Sequence, residues 1–301
     1  MHSFTTPGKT RIVVTNPIGD VDVVAEGTGS TTVELVPRGV DGDAIVAETS
    51  VTCSEANGVS VVDVTLPGQR SFAKRRSGVD VQITAPHGAD VVVTTSGSER
   101  SILSFARGSG DVRLRGTVGD VDITLPCADL TAQAISGSLS VKTASGDVTV
   151  DTVDENVKLR TVSGDVSIET VNKNVSITLV SGDASITTAM DNVDLTSVSG
   201  DVTITDAHAG ASLKSTSGDV IVRRAWTGSV RVATVSGDVT VGIPPGRGVD
   251  VDARSMSGDL SSEIDLGDSR VGEGGDGTVV RVTAHSVSGD IEILRAAAAN
   301  A

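Results

Sequence analysis

The chain has no tyrosine, a single tryptophan (Trp226) and three phenylalanines among its 301 residues. That scarcity excludes a core anchored on large rings, so the interior must be built from Val, Ile, Leu and Ala, which suit thin, repetitively stacked layers. It also removes the aromatic platforms on which single-stranded nucleic acids stack. Cations are short as well: 24 Lys and Arg against 39 Asp and Glu give a net charge of −15. A chain lacking a broad basic face is excluded as a nucleic-acid binder. The two cysteines, Cys53 and Cys127, stand far apart and read as small buried or half-buried thiols, not as a disulfide framework. The four histidines (His2, His87, His208, His285) are dispersed, so no metal site and no cofactor is expected. Neither a charged-then-apolar leader nor an apolar run of spanning length is present, which predicts a cytoplasmic chain without a transmembrane helix.

What the sequence does contain is a repeat. The glycine of Ser-Gly-Asp stands at Gly146, Gly164, Gly182, Gly200 and Gly218, one every 18 residues; Gly237 comes one residue late, and Gly258 and Gly289 later still. Halfway between stand Asn156, Asn174, Asn192, Gly210 and Ser229. After each marker comes an apolar–polar–apolar triplet, such as Val166-Ser167-Ile168 and Val175-Ser176-Ile177. Alternation of β-branched residues between Gly, Asp and Asn is a strand signal, and a fixed period of this length means a solenoid. The expected fold is all-β: a single elongated β-solenoid of about 18-residue coils, two short strands per coil, with β-rich caps at both ends. Val153, Val171 and Ala189 are expected to point inward at one arc, and Val162, Val180 and Val198 at the other.

Four segments are expected along the chain. Residues 1–105 carry longer alternating strands with Pro and Gly turns and read as an N-terminal β-rich cap. Residues 106–241 hold the regular coils. Residues 242–295 hold irregular coils, closed by "VVRVTAHSVSGDIEIL" as a C-terminal cap, and 296–301 form a tail.

The spaced Ser-Gly-Asp-Val corners, the run from Val79 to Val91 and the closing "SVSGDIEIL" together resemble the bacterial β-strand-repeat family of toastrack, or adhesin-labelled, domains. The resemblance runs from about Arg11 to Leu294. It implies a β-solenoid-like scaffold, an association of some members with cell-envelope stress systems, and no catalytic motif.

The corner residues Gly146, Asp147, Gly164, Asp165, Gly182, Asp183, Gly200, Asp201, Gly218, Asp219, Gly237 and Asp238 are read as structural. Glycine accepts the positive φ of an arc, and Asp hydrogen-bonds turn backbone or the Ser hydroxyls beside it. Stacked in register, the carboxylates could instead form a row of weak Ca²⁺ sites in a cation-stabilised structural protein, although the doubled glycines of calcium-binding repeats are missing. A carbohydrate-active β-helix enzyme is a further alternative, which requires convergent acids in a groove. For binding, "QRSFAKRRSG" places Arg70, Phe72, Lys74, Arg75 and Arg76 together in an acidic chain, a candidate docking loop for an acidic partner or for peripheral contact with an anionic membrane. Trp226 beside Arg223 and Arg224 is a second candidate. The function expected is that of a non-catalytic scaffold or protein-interaction module.

Overall fold

The computed structural model describes residues 1–27, 29–67, 77–95, 110–264 and 279–296; the Arg70–Arg76 stretch therefore lies outside the described residues. The chain divides into two compact units, Met1–Glu155 with Leu159–Val162, and Asn156–Lys158 with Ser163–Ala301. Each is built as a β-solenoid: successive coils contribute one strand to each of two sheets, and equivalent residues pair in parallel. In the second unit Val166, Ala184, Val202, Val220, Val239 and Ile291 share one register position. Each is at most 2% exposed. Such like-on-like stacking of small side chains at about 4.8 Å per rung fills a narrow core without aromatic residues.

In the first unit the same parallel pairing already joins Val21 to Val81 and Val112, so regular coils begin well before residue 106. The cap proper is smaller than the segment 1–105. It comprises the antiparallel strands His2–Thr5, Ser30–Arg38 and Ser50–Ala56 with the short helix Gly42–Glu48, whose Ile45 is buried. Antiparallel outer strands and a helix are a common way to blunt a sheet edge.

Neither chain terminus follows the order of the sequence. The strand Lys9–Thr15 lies between Val59–Thr65 and Asp90–Thr94, and Val21–Ala25 between Gly78–Ala85 and Val112–Val118. In the second unit Val279–Ser288 is inserted between Ser229–Ser236 and Gly248–Ser257. Ile291–Arg295 is likewise inserted between Val239–Ile243 and Leu260–Ser262. The segment expected to close the array as a C-terminal cap is thus its penultimate coil, paired on both sides, and the coil beginning at Gly248 lies outside it.

One arc also differs from expectation. Val153, Val171 and Ala189 are fully buried, as expected, but Val162, Val180 and Val198 are 41–47% exposed. The inward position belongs to the preceding residue: Leu179 in one coil, then Ser197, Ser215, Thr234 and Ser286 in the next four. These four hydroxyls are buried and have no hydrogen-bond partner. Strand parity explains the arrangement, since alternate residues point to opposite faces and Val193 and Leu195 fix Ser197 on the inner one. An unsatisfied buried hydroxyl costs about 1–3 kcal/mol, so polarity is inverted here against stability.

Candidate interaction surface

The corners combine two physical constraints. Gly182, Gly200 and Gly218 have φ of +117° to +120°, and a Cβ on Gly200 would collide with the carbonyl oxygen of Gly182 in the neighbouring coil. Only glycine meets both demands. The following aspartates form a ladder. In the second unit the amide of Asp183 donates to Oδ1 of Asp165 at 2.9 Å. Asp201 to Asp183, Asp219 to Asp201, Asp238 to Asp219, Asp290 to Asp238 and Asp259 to Asp290 repeat the bond at 2.8 Å. The partner is the backbone amide of the next rung. Each amide offsets the repulsion between carboxylates one strand spacing apart, because a hydrogen bond to the charged form favours it.

The first unit carries two such files. Asp147 donates to Asp129, Asp111 to Asp20 and Asp20 to Asp80 on one edge. Asp120 donates to Asp90, and Ser138 to Asp120, on the other. Apart from Asp147 and Asp111, which close Ser145-Gly146-Asp147 and Ser109-Gly110-Asp111, these members carry no Ser-Gly-Asp triplet; the available signal was an Asp immediately before an apolar strand residue. Asp20 also receives Arg113 at 3.2 Å and Arg38 at 3.3 Å, and Arg38 pairs with Asp80. Burial disfavours the Asp20 carboxylate, but Arg113, the Asp111 amide and Arg38 outweigh it and hold its pKa below the usual carboxylate range. Lys9 pairs with Asp90 at 3.0 Å, and that hydrogen bond raises the lysine pKa. Among the described residues no three His, Cys, Asp or Glu side chains converge as metal ligands.

Trp226 belongs to a second cluster at the opposite arc. Its ring lies parallel to His208 on the preceding coil, with centroids 5.6 Å apart. Its Nε1 donates to Oδ1 of Asp206 at 2.9 Å, while Arg224 grips both oxygens of that carboxylate at 2.6 and 2.5 Å. Desolvation opposes the charge on Asp206; the Arg224 and Trp226 hydrogen bonds overcome it and lower the pKa. The same ion pair raises the Arg224 pKa. Arg223 points to solvent. The carboxylate therefore anchors both Arg224 and the Trp226 ring, and His208 stacks on that ring.

The described surface includes two shallow depressions of about 290 and 300 Å³. One is bordered by Asp22, Glu34, Gln82 and Arg115, the other by Asn174, Asn192, Ser212 and Arg231. Neither is lined by a His or Cys; Cys53 and Cys127, expected to be buried or half-buried, are exposed on their strands. No helix of the described residues is long and apolar enough to cross a membrane.

Residues 5–173 and again 136–294 match the family described as Toastrack DUF4097. No curated protein matches the sequence. Among solved structures, a "putative adhesin" from Bacteroides fragilis is 14% identical, with a TM-score of 0.38 over 97% of this chain and 95% of that one. A "putative lipid binding protein" from Parabacteroides distasonis is 10% identical, with a TM-score of 0.39 over 98% and 96%. A "putative cell adhesion protein" from Clostridium sporogenes is 10% identical, with a TM-score of 0.25 over 98% of each chain.

Proposed function

The chain belongs to the toastrack DUF4097 family, and on that premise we propose that it is a non-catalytic scaffold, a module that binds protein partners through regular outward columns of side chains. The observation that carries this reading is the fixed register. Asp165, Asp183, Asp201, Asp219 and Asp238 are each hydrogen-bonded to the next rung, so their spacing is set by the backbone. A surface ordered before binding loses little conformational entropy on contact. The Arg70–Arg76 stretch, with Phe72, is the docking element in this reading, and its charge selects acidic partners. The names of the adhesin-labelled structures and the envelope association implied by the family accord with an interaction role.

The test is a cross-linked pull-down from lysate of the source organism, with membrane and soluble fractions kept apart. A K74A/R75A/R76A variant runs beside the wild type. A defined partner retained by the wild type and lost by the variant is the expected result. Failure to retain any specific partner in either fraction overturns the reading.

A further inference from the structure

The inverted arc of the second unit builds an exposed apolar ridge. Val180, Val198, Thr216, Val235, Val287 and Met256 occupy successive rungs of one column, because the serines that follow them pair in register. The four valines are 41–50% exposed and Met256 is 84% exposed. Thr216 interrupts the column only with a side chain that still carries a methyl group. The strip is on the order of a few hundred Å², the size at which apolar surface on a monomer is commonly functional. Stacking of like residues does not account for it, since the same strands bury Ser197, Ser215, Thr234 and Ser286 without partners directly beside it.

Charge frames the ridge on its corner side. Three residues beyond each rung stands an exposed carboxylate of the file from Asp183 to Asp259, and Oδ1 of every member but Asp259 accepts the backbone amide of the next rung. On the sheet side the residues two positions earlier are Thr178, Thr196, Lys214, Ala233, His285 and Arg254, so carboxylates dominate the surroundings, most clearly at Val180 and Val198. A ligand that complements this surface carries apolar side chains flanked by several cations. One stretch of this chain has that composition: Arg70 to Arg76 places four cations around Phe72.

We propose that the ridge from Val180 to Met256 is the docking surface for the Arg70–Arg76 segment of a second copy of this chain. The proposal rests on the binding-module reading and names one partner for it. Phe72 supplies the apolar group that the valines complement, and the lysine and arginines supply the charge opposite to that of the aspartate file. The net charge of −15 on each copy opposes association at long range, but at physiological salt that repulsion is screened beyond about 8 Å, while the local contact lies within that distance. Reciprocal docking gives a closed dimer and one-way docking a growing assembly.

Sedimentation velocity of the full chain across a wide concentration range, at physiological and at raised salt, tests the proposal. The wild type is expected to self-associate and to dissociate as salt rises. V198K/V235K and, separately, K74E/R75E/R76E should each weaken association by about tenfold or more, and combining the two sets should restore it. Melting curves and Trp226 emission establish that each variant is folded; V198S/V235S replaces the lysine pair if that variant is not, with weakened association again expected. A wild type that stays monomeric overturns the proposal, as does self-association that neither set of substitutions changes. Either result leaves the pull-down with foreign partners as an independent test of the binding-module reading.

Discussion

The Oδ1 atom of Asp201 accepts the backbone amide of Asp219, one coil away, at 2.8 Å. The side chain therefore acts as a splint between rungs. Asn keeps the carbonyl oxygen and loses the charge, so Asp201→Asn is expected to be nearly neutral. Asp201→Ala leaves the Asp219 amide without its acceptor and should cost about 1 kcal/mol, discounted for exposure. Urea unfolding of the two variants separates a splint from a cation ligand. Because the amides already occupy one oxygen of each rung, adding Ca²⁺ or a chelator is expected to leave the wild-type melting temperature unchanged. An Asn variant as damaging as the Ala variant would contradict the splint.

Gly200 cannot be replaced cheaply. Its φ of +120° is poorly accessible to other residues, and an added Cβ meets the Gly182 carbonyl. Strain and collision act together, so Gly200→Ala should destabilise by about 2–3 kcal/mol or more. Gly27, at φ +78° with nothing near its Cβ position, supplies the control: Gly27→Ala carries strain without collision and should cost less. Thermal denaturation of the pair reads the difference.

The repeat made the coil legible because each Ser-Gly-Asp corner has a single physical solution, and the period of the corners is the period of the coil. Two features were not readable in the same way. At Val198 the expectation followed polarity, placing valine inside and serine outside, whereas counting alternate residues from Val193 through Leu195 places Ser197 inside. A strand's parity is fixed by its backbone and overrides the preference of one side chain. The insertion of Val279–Ser288 inside Gly248–Ser257 escaped because counting a period assumes that sequence neighbours are spatial neighbours. The aspartate files at Asp80, Asp90 and Asp120 were missed for a related reason: without the Ser-Gly-Asp triplet, only register identifies them. The basic stretch around Lys74 was conspicuous by composition alone.

The buried hydroxyl of Ser197 yields a prediction in the stabilising direction. It is 2% exposed and unpartnered, while the neighbouring coil places Leu179 at the equivalent position. Ser197→Ala removes the unsatisfied group without adding volume and should stabilise the fold by about 1 kcal/mol. Ser197→Ala combined with Ser215→Ala acts on adjacent rungs, so the gains need not add. A drop in melting temperature for Ser197→Ala would show that the hydroxyl is satisfied in solution, for instance by an internal water.

Asp206 sets an acid limit on the second unit. Its carboxylate is held below the usual carboxylate range despite burial, chiefly by Arg224 and then by Trp226. A depressed folded pKa means that the stabilisation is present above the unfolded value and is lost as pH falls through the folded one. Asp206→Asn removes the charge that Arg224 and Trp226 require, so the variant should melt below the wild type near neutrality. As pH drops below about 3.9, the ordinary Asp value, and on through the lower folded value, the wild type loses the same interaction and the gap between the two should close. Trp226 is the only tryptophan in the chain, so its emission reports this site alone. A change in emission that tracks the wild-type acid transition and is absent from Asp206→Asn would tie the loss to the Asp206–Arg224–Trp226 cluster. A gap in melting temperature that stays constant across the acid range would instead show that the carboxylate contributes through shape and not through charge.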